Sequence, residues 1–241
     1  GEFPELEKFI LHRLWEIDQV IQDCILSYNF HLMFTTILNF CSNDLSSFYF
    51  DIRKDTIYCD SFYSKKRRAS RTLLDILFNY MVRWLAPSLV FTCEEAWQSK
   101  GNTSSIHLEE FLKADIKFRN DAIAEKWKQI KDIRKVVTGA LEIKRTEKII
   151  RSSLESHIDI YLPKEIKSKI ENIDLAEIAI TSSVDIMDIK NSSSGFSIED
   201  IKNIVVDVKK AKGSKCNRCW KFDTKINSDG ICGRCSDVIK K

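Results

Sequence analysis

The chain has 241 residues, with 38 Lys and Arg against 35 Asp and Glu, and its formal net charge is +3. Apolar residues make up 44% of it and charged residues 30%, which is ordinary for a globular protein. The longest apolar runs are far below the ~20 residues of a membrane-spanning helix, and the acidic N-terminus lacks the apolar stretch of a secretory signal. The chain has no initiator Met, which indicates a fragment of something longer.

The seven glycines are spread along the chain, and the two that lie close together, Gly230 and Gly233, stand among cysteines. Loops that bind phosphate need closely spaced glycines, because their backbone N–H groups must approach the phosphate. A dinucleotide-binding fold or a P-loop is therefore nearly excluded. The sequence also has no GxSxG or HExxH motif, and its four histidines are not at metal-ligand spacing.

The small net charge hides an uneven distribution. Residues 1–112 carry a net charge of −4, residues 113–155 carry +5, residues 156–208 carry −5 and residues 209–241 carry +7. Exposed charges act over about 8 Å at physiological salt, so local clusters matter more than the total. Two basic blocks predict that only part of the surface meets a polyanion.

The first part of the chain predicts helices. One apolar face follows a spacing of three or four residues through Leu6, Ile10, Leu14, Ile17, Ile21 and Cys24. Further helical runs cover residues 30–45, 70–86, 89–97 and 119–148, and the last of them spans about 40–45 Å. Residues 48–55 either continue the second helix or form a short irregular connection. Pro87 ends or kinks the helix before it.

The pattern changes after residue 152. Apolar, β-branched residues predict strands at 158–162, 178–181 and 204–208, with a helical segment at 164–173 between the first two. Residues 209–241 have no apolar period and form a separate tail. We therefore expect a mainly α protein: a helical bundle over 1–155, a small α/β module over 156–208 and a tail over 209–241.

The eight cysteines divide into two sets. Cys24, Cys41, Cys59 and Cys93 stand singly in apolar helical contexts, which predicts small buried side chains in a reducing compartment, with a reactive thiol as the alternative. The other four, Cys216, Cys219, Cys232 and Cys235, are spaced Cys-x2-Cys-x12-Cys-x2-Cys.

That spacing is typical of a structural zinc site, in which four thiolates lie about 2.3 Å from one Zn²⁺. Gly230 and Gly233 are expected to give the two turns their backbone freedom. The alternative is a pair of disulfides in a secreted domain, which the missing signal and the four other cysteines oppose. Because protein ligands fill all four positions, the metal would hold the fold and perform no chemistry.

Two features of the sequence predict contact with RNA. Trp220 directly follows Cys219, and it is either a lid over the zinc turn or a platform for an unpaired base, with Arg218 and Lys221 beside it to bind phosphate. The basic run at 65–68, followed by Arg71, is either a solvated helix start or a polyanion site. Cations at a helix N-terminus oppose the helix dipole, which favours an external reason for them.

The block DLSSFYFDIRKDTIYCD at 44–60 resembles the bacterial-type isoleucyl-tRNA synthetases. WLAP at 84–87 and FTCEEAW at 91–97 form a second block, which is similar across the isoleucine, valine and leucine enzymes. Residues 133–155 and the two cysteine pairs continue the resemblance, which covers nearly the whole chain in the family's order. Arg151 stands where the family usually has Gly, a departure that concerns the local backbone conformation.

The resemblance implies the C-terminal part of such a synthetase. Residues 1–155 would be a helical anticodon-binding domain with a long C-terminal helix, 156–208 a junction domain and 209–241 a zinc-binding tail. The family's HIGH and KMSKS signatures are absent from this sequence, so the fragment has no catalytic residue and should be inactive alone. It would hold one structural Zn²⁺, and ATP would bind only in the absent catalytic core.

The same resemblance implies that the fragment binds the anticodon stem-loop of tRNA(Ile) and positions this tRNA for the missing core of the same polypeptide. Arg218 and Trp220 are expected to contact bases. Charge and position on the helical domain add Arg53, Lys54, Arg67, Arg68 and Arg71. Lys128, Lys131 and Lys135 on the long helix are explained equally well by a solvated face.

We expect a cytoplasmic monomer without membrane contact. Three alternatives stay open at this point: a zinc-stapled helical module that binds another protein, the same region of a valyl- or leucyl-type synthetase, and an enzyme in its own right.

Overall fold

Helices make up most of the chain up to residue 146. The computed structural model describes residues 2–192 and 195–240. Its first six helices are α1 (Glu5–Leu26), α2 (Phe30–Asn39), α3 (Asp51–Cys59), α4 (Lys65–Leu85), α5 (Val90–Ser99) and α6 (Asp121–Thr146). Short 3₁₀ turns lie at Ile106–Leu108 and Ile116–Phe118. The mainly α class predicted from the sequence is confirmed.

The apolar face predicted for α1 is buried along its whole length, from Leu6 to Cys24. This face packs against α2 and α4. Acidic residues in the first turn, Glu5 and Glu7, suit the positive end of the helix dipole. Periodicity was therefore a sufficient guide to this helix.

The segment between α2 and α3 stays helical, which decides between the two possibilities for residues 48–55. Phe40–Phe50 is a π-helix, so the chain runs from α2 into α3 without leaving helical geometry. The wider π turn has i→i+5 bonds and is rare over such a length. It buries Phe40, Leu45, Phe48 and Tyr49 on one side.

Helix α4 starts five residues earlier than the sequence predicted. Ser64 is its N-cap, and the Ser64 hydroxyl accepts a hydrogen bond from the Arg67 N–H at 3.4 Å. The cap draws the basic run at 65–68 into the first helical turn. Pro87 follows the end of the helix, as predicted.

The chain packs as two compact units. One consists of Gly1–Arg53 and Phe62–Asp121, and the other of Lys54–Ser61 and Ala122–Lys241. Helix α3 thus contributes Asp51–Arg53 to the first unit and its remaining residues to the second. This grouping by packing differs from the three ranges expected from the sequence, which stay a prediction.

A buried ion pair lies inside the first unit. Glu7 is fully buried, and the Arg53 guanidinium donates to both of its carboxylate oxygens, at 2.7 and 2.9 Å. The hydroxyls of Tyr49 and Ser70 donate to the same carboxylate at 3.1 and 3.2 Å. Hydrogen-bond donors from three helical segments therefore surround the Glu7 carboxylate, and a buried carboxylate requires such partners.

The second unit is built on α6 and a small sheet. Its strands are β1 (Ser156–Leu162), β2 (Ser183–Asp188), β3 (Phe196–Ile198) and β4 (Ile201–Lys210), in the order β2-β1-β4-β3. β1 is parallel to β2 and antiparallel to β4, and β3 is antiparallel to β4. The short helices α7 (Lys164–Lys169) and α8 (Leu175–Ala179) connect β1 to β2.

The strand predicted at 178–181 is wrong. These residues end α8, because the Asp174 side chain caps that helix by accepting a hydrogen bond from the Glu177 N–H at 3.0 Å. Ile180 closes the helix in a left-handed conformation, with φ of +57°. The second strand begins only at Ser183, so local capping overrode the strand preference of the β-branched run.

The connection from α6 to β1 explains why an arginine is accepted at 151. The left-handed residue in this connection is Lys148, with φ of +59°. Arg151 is not among the described non-glycine residues with positive φ. Its backbone therefore does not require glycine.

The sheet also carries a buried carboxylate, that of Asp159. Asp159 accepts a hydrogen bond from His157 Nε2 at 3.0 Å and one from the Lys209 ammonium group. Burial raises the pKa of Asp159, but these two partners lower it by more, so that it lies below its usual range. Asp185 reaches the same histidine at 3.6 Å from β2 and is itself exposed.

Within residues 2–192 and 195–240, no helix combines the length and the apolar character required to cross a bilayer.

Replacing Arg53 with Ala is expected to lower the free energy of unfolding by about 3–5 kcal/mol, because Glu7 then keeps a buried charge without its main partner. Arg68→Ala is the control, since this exposed arginine should change stability by less than about 0.5 kcal/mol. Urea unfolding followed by circular dichroism measures both. Equal, small effects of the two changes would show that the ion pair contributes little.

Asp159→Asn is expected to cost about 1.5–3 kcal/mol at pH 7, because hydrogen bonds to a charged group are lost. The folded pKa lies below the unfolded value of about 3.9, so this contribution is complete above about pH 5 and disappears as the pH falls through the folded pKa. The difference between variant and parent should therefore shrink at pH 3 in urea unfolding. Asp185→Asn, which changes the exposed carboxylate of the same group, should have little effect at either pH. A penalty for Asp159→Asn that stays constant with pH would contradict this assignment.

Candidate metal centre and nucleic-acid interface

The two cysteine pairs lie in two tight turns of the tail. Strands β5 (Ser214–Lys215) and β6 (Phe222–Asp223) pair antiparallel, and the first cysteine turn connects them. The second pair stands at the start of α9 (Gly233–Ile239), with Cys232 as its N-cap. The Asn217 N–H donates to the Gly230 carbonyl at 2.9 Å and so ties the two turns together.

The four thiols converge on one point. The sulfur atoms of Cys216, Cys219, Cys232 and Cys235 all lie within 4.8 Å of one another, and all four residues are buried. The Sγ atoms of Cys219 and Cys232 are 3.7 Å apart. Four thiolates at about 2.3 Å from a tetrahedral metal would lie about 3.8 Å from each other. The cluster therefore fits a metal ion held by four thiolates.

The surroundings of Cys216 favour the thiolate that a metal requires. Burial raises the pKa of this thiol, but backbone N–H donors from Cys219, Cys232 and Arg218 outweigh it and lower the pKa to about 6. The Cys232 N–H lies 3.3 Å from the Cys216 Sγ. Burial raises the pKa of Cys219 and Cys232, which opposes their thiolate forms. A bound metal cation would stabilise the thiolates of all four cysteines.

Only one of the two glycines near the cysteines has the role predicted for it. Gly230 has φ of +74°, and a Cβ there would lie 2.2 Å from the Asn217 side-chain nitrogen. Gly233 has neither a positive φ nor a close neighbour, and it begins α9. The prediction that Gly233 supplies special backbone freedom is therefore wrong. Gly213 has that role instead. Its φ is +94°, and a Cβ there would lie 2.2 Å from the Asp223 carbonyl oxygen.

Arg218 is engaged with helix α3. Its guanidinium donates to the carbonyl oxygens of Cys59 at 2.6 Å and Tyr58 at 3.3 Å, and it lies 3.6 Å from the Cys235 sulfur. The last carbonyls of a helix have no partner within the helix and carry its negative end, which attracts a cation. The contacts with both carbonyls and the cysteine sulfur orient this guanidinium towards the protein.

Arg234 makes the second contact between the tail and α3. It binds both carboxylate oxygens of Asp55, at 2.6 and 2.7 Å, and one oxygen of Asp60 at 3.3 Å. Burial raises the pKa of Asp55, but Arg234 lowers it by more, below its usual range. No sequence pattern pointed to this contact, because the paired residues are 179 and 174 positions apart.

Trp220 is an exposed aromatic residue of the tail. It is 59% exposed and has a left-handed backbone, with φ of +65°, at the end of the first cysteine turn. The Lys215 ammonium lies 5.1 Å from the centre of its ring. This exposure opposes the idea of a buried lid and is what stacking on a base requires.

The basic residues predicted to bind RNA have different surroundings. Arg53 is 2% exposed and is committed to Glu7, so we leave it out of the RNA-binding surface. Lys54, Arg68 and Arg71 are exposed, and Arg67 is half-buried. On α6, Lys128 and Lys135 are exposed and Lys131 is half-buried. Exposure alone does not separate an RNA contact from a solvated face.

Sequence reasoning missed an aromatic pair beside the basic run. Phe62 and Tyr63 are exposed in the loop before α4, with their ring centres 5.4 Å apart. The Arg71 guanidinium lies 5.8 Å from the centre of the Phe62 ring. The signal was present in the printed sequence, since two adjacent aromatic residues precede KKRR by one position.

The four single cysteines are largely as predicted. Cys24, Cys59 and Cys93 are buried, and Cys41 is half-buried. Burial raises the pKa of all four thiols, that of Cys59 to about 11. They are therefore poor nucleophiles at neutral pH.

Comparison with known families gives this geometry a context. Residues 7–161 match the family model described as the anticodon-binding domain of tRNA ligase. The chain belongs to this family of anticodon-binding domains. The matched range begins in α1 and ends in β1, and so contains the helical part, including the basic run.

Named relatives cover the rest of the chain as well. The isoleucine–tRNA ligase of Agrobacterium fabrum is 42% identical over 231 residues, which is 95% of this chain and 24% of that protein. Those of Bartonella henselae and Brucella abortus are 43% and 40% identical, over 94% and 95% of the chain. The chain spans about a quarter of the length of these relatives.

Native mass spectrometry of this anticodon-binding chain is expected to show one metal ion per molecule. Cys216→Ser should release the ion and leave the helical circular dichroism signal nearly unchanged, because α1 to α6 contribute no ligand to the cluster. Cys41→Ser is the matched control and should keep the ion, since this thiol lies outside the cluster. A metal-free parent chain would overturn the assignment of a metal centre.

Proposed function

We propose that this chain is the part of an isoleucine–tRNA ligase that recognises the anticodon stem-loop of tRNA(Ile). The observation that carries the proposal is the 40–43% identity to isoleucine–tRNA ligases over at least 94% of the chain, together with the family match. Residues 1–155 would form the anticodon-binding domain, 156–208 the junction and 209–241 the tail.

The anticodon is a single-stranded loop, and such loops are read by stacking their unpaired bases and by hydrogen bonds to base edges. We assign the stacking contact in the tail to Trp220, whose ring is exposed and has a lysine beside it. Lys54, Arg67, Arg68 and Arg71 would bind phosphates, as cations on flexible side chains do in RNA complexes.

The metal of the tail is proposed to be one structural Zn²⁺. Four thiolates in a buried, closed set are the ligands that structural zinc prefers. Cys216, Cys219, Cys232 and Cys235 fill a tetrahedral shell, so this ion would leave no position for substrate. When bound, it supplies cross-linking of the tail and no catalytic chemistry.

The reaction itself would belong to the rest of a longer polypeptide. We propose that this polypeptide joins isoleucine to tRNA(Ile) with ATP, in the cytoplasm and as a monomer, and that its catalytic core is a partner of the present chain. The chain alone should then show no isoleucine-dependent pyrophosphate exchange. Exchange activity of the isolated chain would contradict the proposal that the reaction belongs to the rest of the polypeptide.

The direct test is competition between tRNA(Ile) and the same tRNA with a replaced anticodon. We expect the replaced anticodon to bind about 10-fold more weakly or worse, because losing one specific base contact costs about 1–3 kcal/mol. Four phosphate contacts would lower the affinity by about 50- to 150-fold between 50 and 200 mM salt.

Two outcomes would redirect this interpretation. Equal affinity for both tRNAs would exclude anticodon recognition. Binding that does not depend on salt would favour the other candidate function, a zinc-stapled module that meets a protein, because phosphate contacts always release counterions.

A further inference from the structure

The C-terminal end of α3 carries a second exposed aromatic side chain, which neither the family match nor the sequence motifs assign. Tyr58 is 72% exposed, although the residues around it, Ile57 and Cys59, are half-buried and buried. Its ring and hydroxyl are therefore largely accessible to a ligand.

The Arg218 guanidinium connects the backbone of Tyr58 to the turn that carries Trp220. Arg218 donates to the Tyr58 carbonyl at 3.3 Å, and Trp220 is two residues after Arg218 along the first cysteine turn. The Trp220 N–H donates to the Cys216 carbonyl at 2.9 Å, which holds that turn closed. The backbone at Tyr58 and the backbone at Trp220 are therefore joined through Arg218 and the first cysteine turn.

Charge around these two rings is positive. Lys54 is exposed one turn before Tyr58 on α3, and Lys215 and Lys221 flank Trp220. The nearby carboxylates, Asp55 and Asp60, are bound by Arg234 and so present less negative charge to a ligand. Exposed rings surrounded by ammonium groups match a ligand that has flat π-faces and a chain of phosphates, which is single-stranded RNA.

We propose that Tyr58 and Trp220 form one RNA-binding platform that stacks two unpaired bases, and that Arg218 is the positioning residue that joins the two rings. This inference rests on the proposed function and deepens it, because it names a new contact and changes the role predicted for Arg218. Arg218 does not read a base: its donors hold the end of α3 against the tail. The cysteine cluster fixes the other end of the same turn.

The two roles make different predictions about salt. Stacking releases no counterions, so removing a stacking ring weakens binding equally at all salt concentrations. Removing a cation that binds a phosphate lowers the slope of log affinity against log salt by about 1. A positioning arginine should behave as a ring does, because its charge is directed at the protein.

The experiment measures the affinity of the 241-residue chain for a tRNA(Ile) transcript at several salt concentrations. Tyr58→Leu should weaken binding about 5- to 100-fold with an unchanged slope. Tyr58→Phe, which keeps the ring, should stay within about twofold. Lys54→Ala is the matched control on the same helix and should reduce the slope by about 1.

Arg218→Lys tests the positioning role. Lysine keeps the charge but lacks the planar fork that reaches two carbonyls, so it should weaken binding with no change in slope. Circular dichroism and metal content should match the parent chain in all variants, which separates lost contacts from lost folding. Arg218→Lys with parental affinity would return Arg218 to a simple charge role and overturn its positioning role.

The failure of this inference is distinguishable from the failure of the proposed function. If the parent chain binds tRNA(Ile) with anticodon preference but Tyr58→Leu binds equally well, the platform is wrong and the proposed function stands. If the parent chain binds no RNA, both are wrong.

Discussion

The convergence of four thiols is the constraint on which the rest of the tail depends. Between residues 209 and 241 the buried apolar cluster consists of the four cysteines, with Ile226 and Ile231 packed against it. So small a core cannot hold 33 residues by burial alone. The cysteine turns therefore fix the geometry that would otherwise have to come from packing, and Cys59 of α3 joins the same cluster.

One consequence is that two residues of the first cysteine turn, Arg218 and Trp220, have different surroundings. Arg218 lies inside the turn and contacts α3, whereas Trp220, at its end, is exposed in a left-handed conformation. A left-handed conformation is uncommon for a residue with a side chain, and the cluster holds Trp220 in it. The division of roles that we propose, stacking by Trp220 and positioning by Arg218, rests on this difference.

Periodicity predicted most of the helices correctly, because a buried helical face leaves a regular pattern in the sequence. α1 shows it clearly, since the residues predicted to form its apolar face, from Leu6 to Cys24, are buried. The failures have local causes. A serine cap extended α4 towards its N-terminus, and an aspartate cap turned the expected strand at 178–181 into the end of α8.

The candidate site was predictable in part. The Cys-x2-Cys pairs predicted the buried group of four thiols that could hold a metal ion, because ligand spacing is a local property of the sequence. The partner of each arginine, in contrast, does not depend on the sequence around it. Arg53, Arg218 and Arg234 find partners 46, 159 and 179 residues away, and only the folded chain shows that these guanidinium groups are occupied. A prediction from charge alone cannot separate them from Arg68 and Arg71.

This distinction changes how the charge of the tail should be understood. The sequence assigns +7 to residues 209–241, yet at least three of those cations have partners within the protein: Arg218 is directed at helix carbonyls, Arg234 at carboxylates and Lys209 at Asp159. What a polyanion meets near Trp220 is a smaller number of lysines, Lys215 and Lys221 among them. Fewer phosphate contacts mean a weaker salt dependence, so affinity in this region has to come more from stacking than the composition indicates. The exposed tyrosine at the end of α3 is the residue that we propose as the source of this additional stacking area.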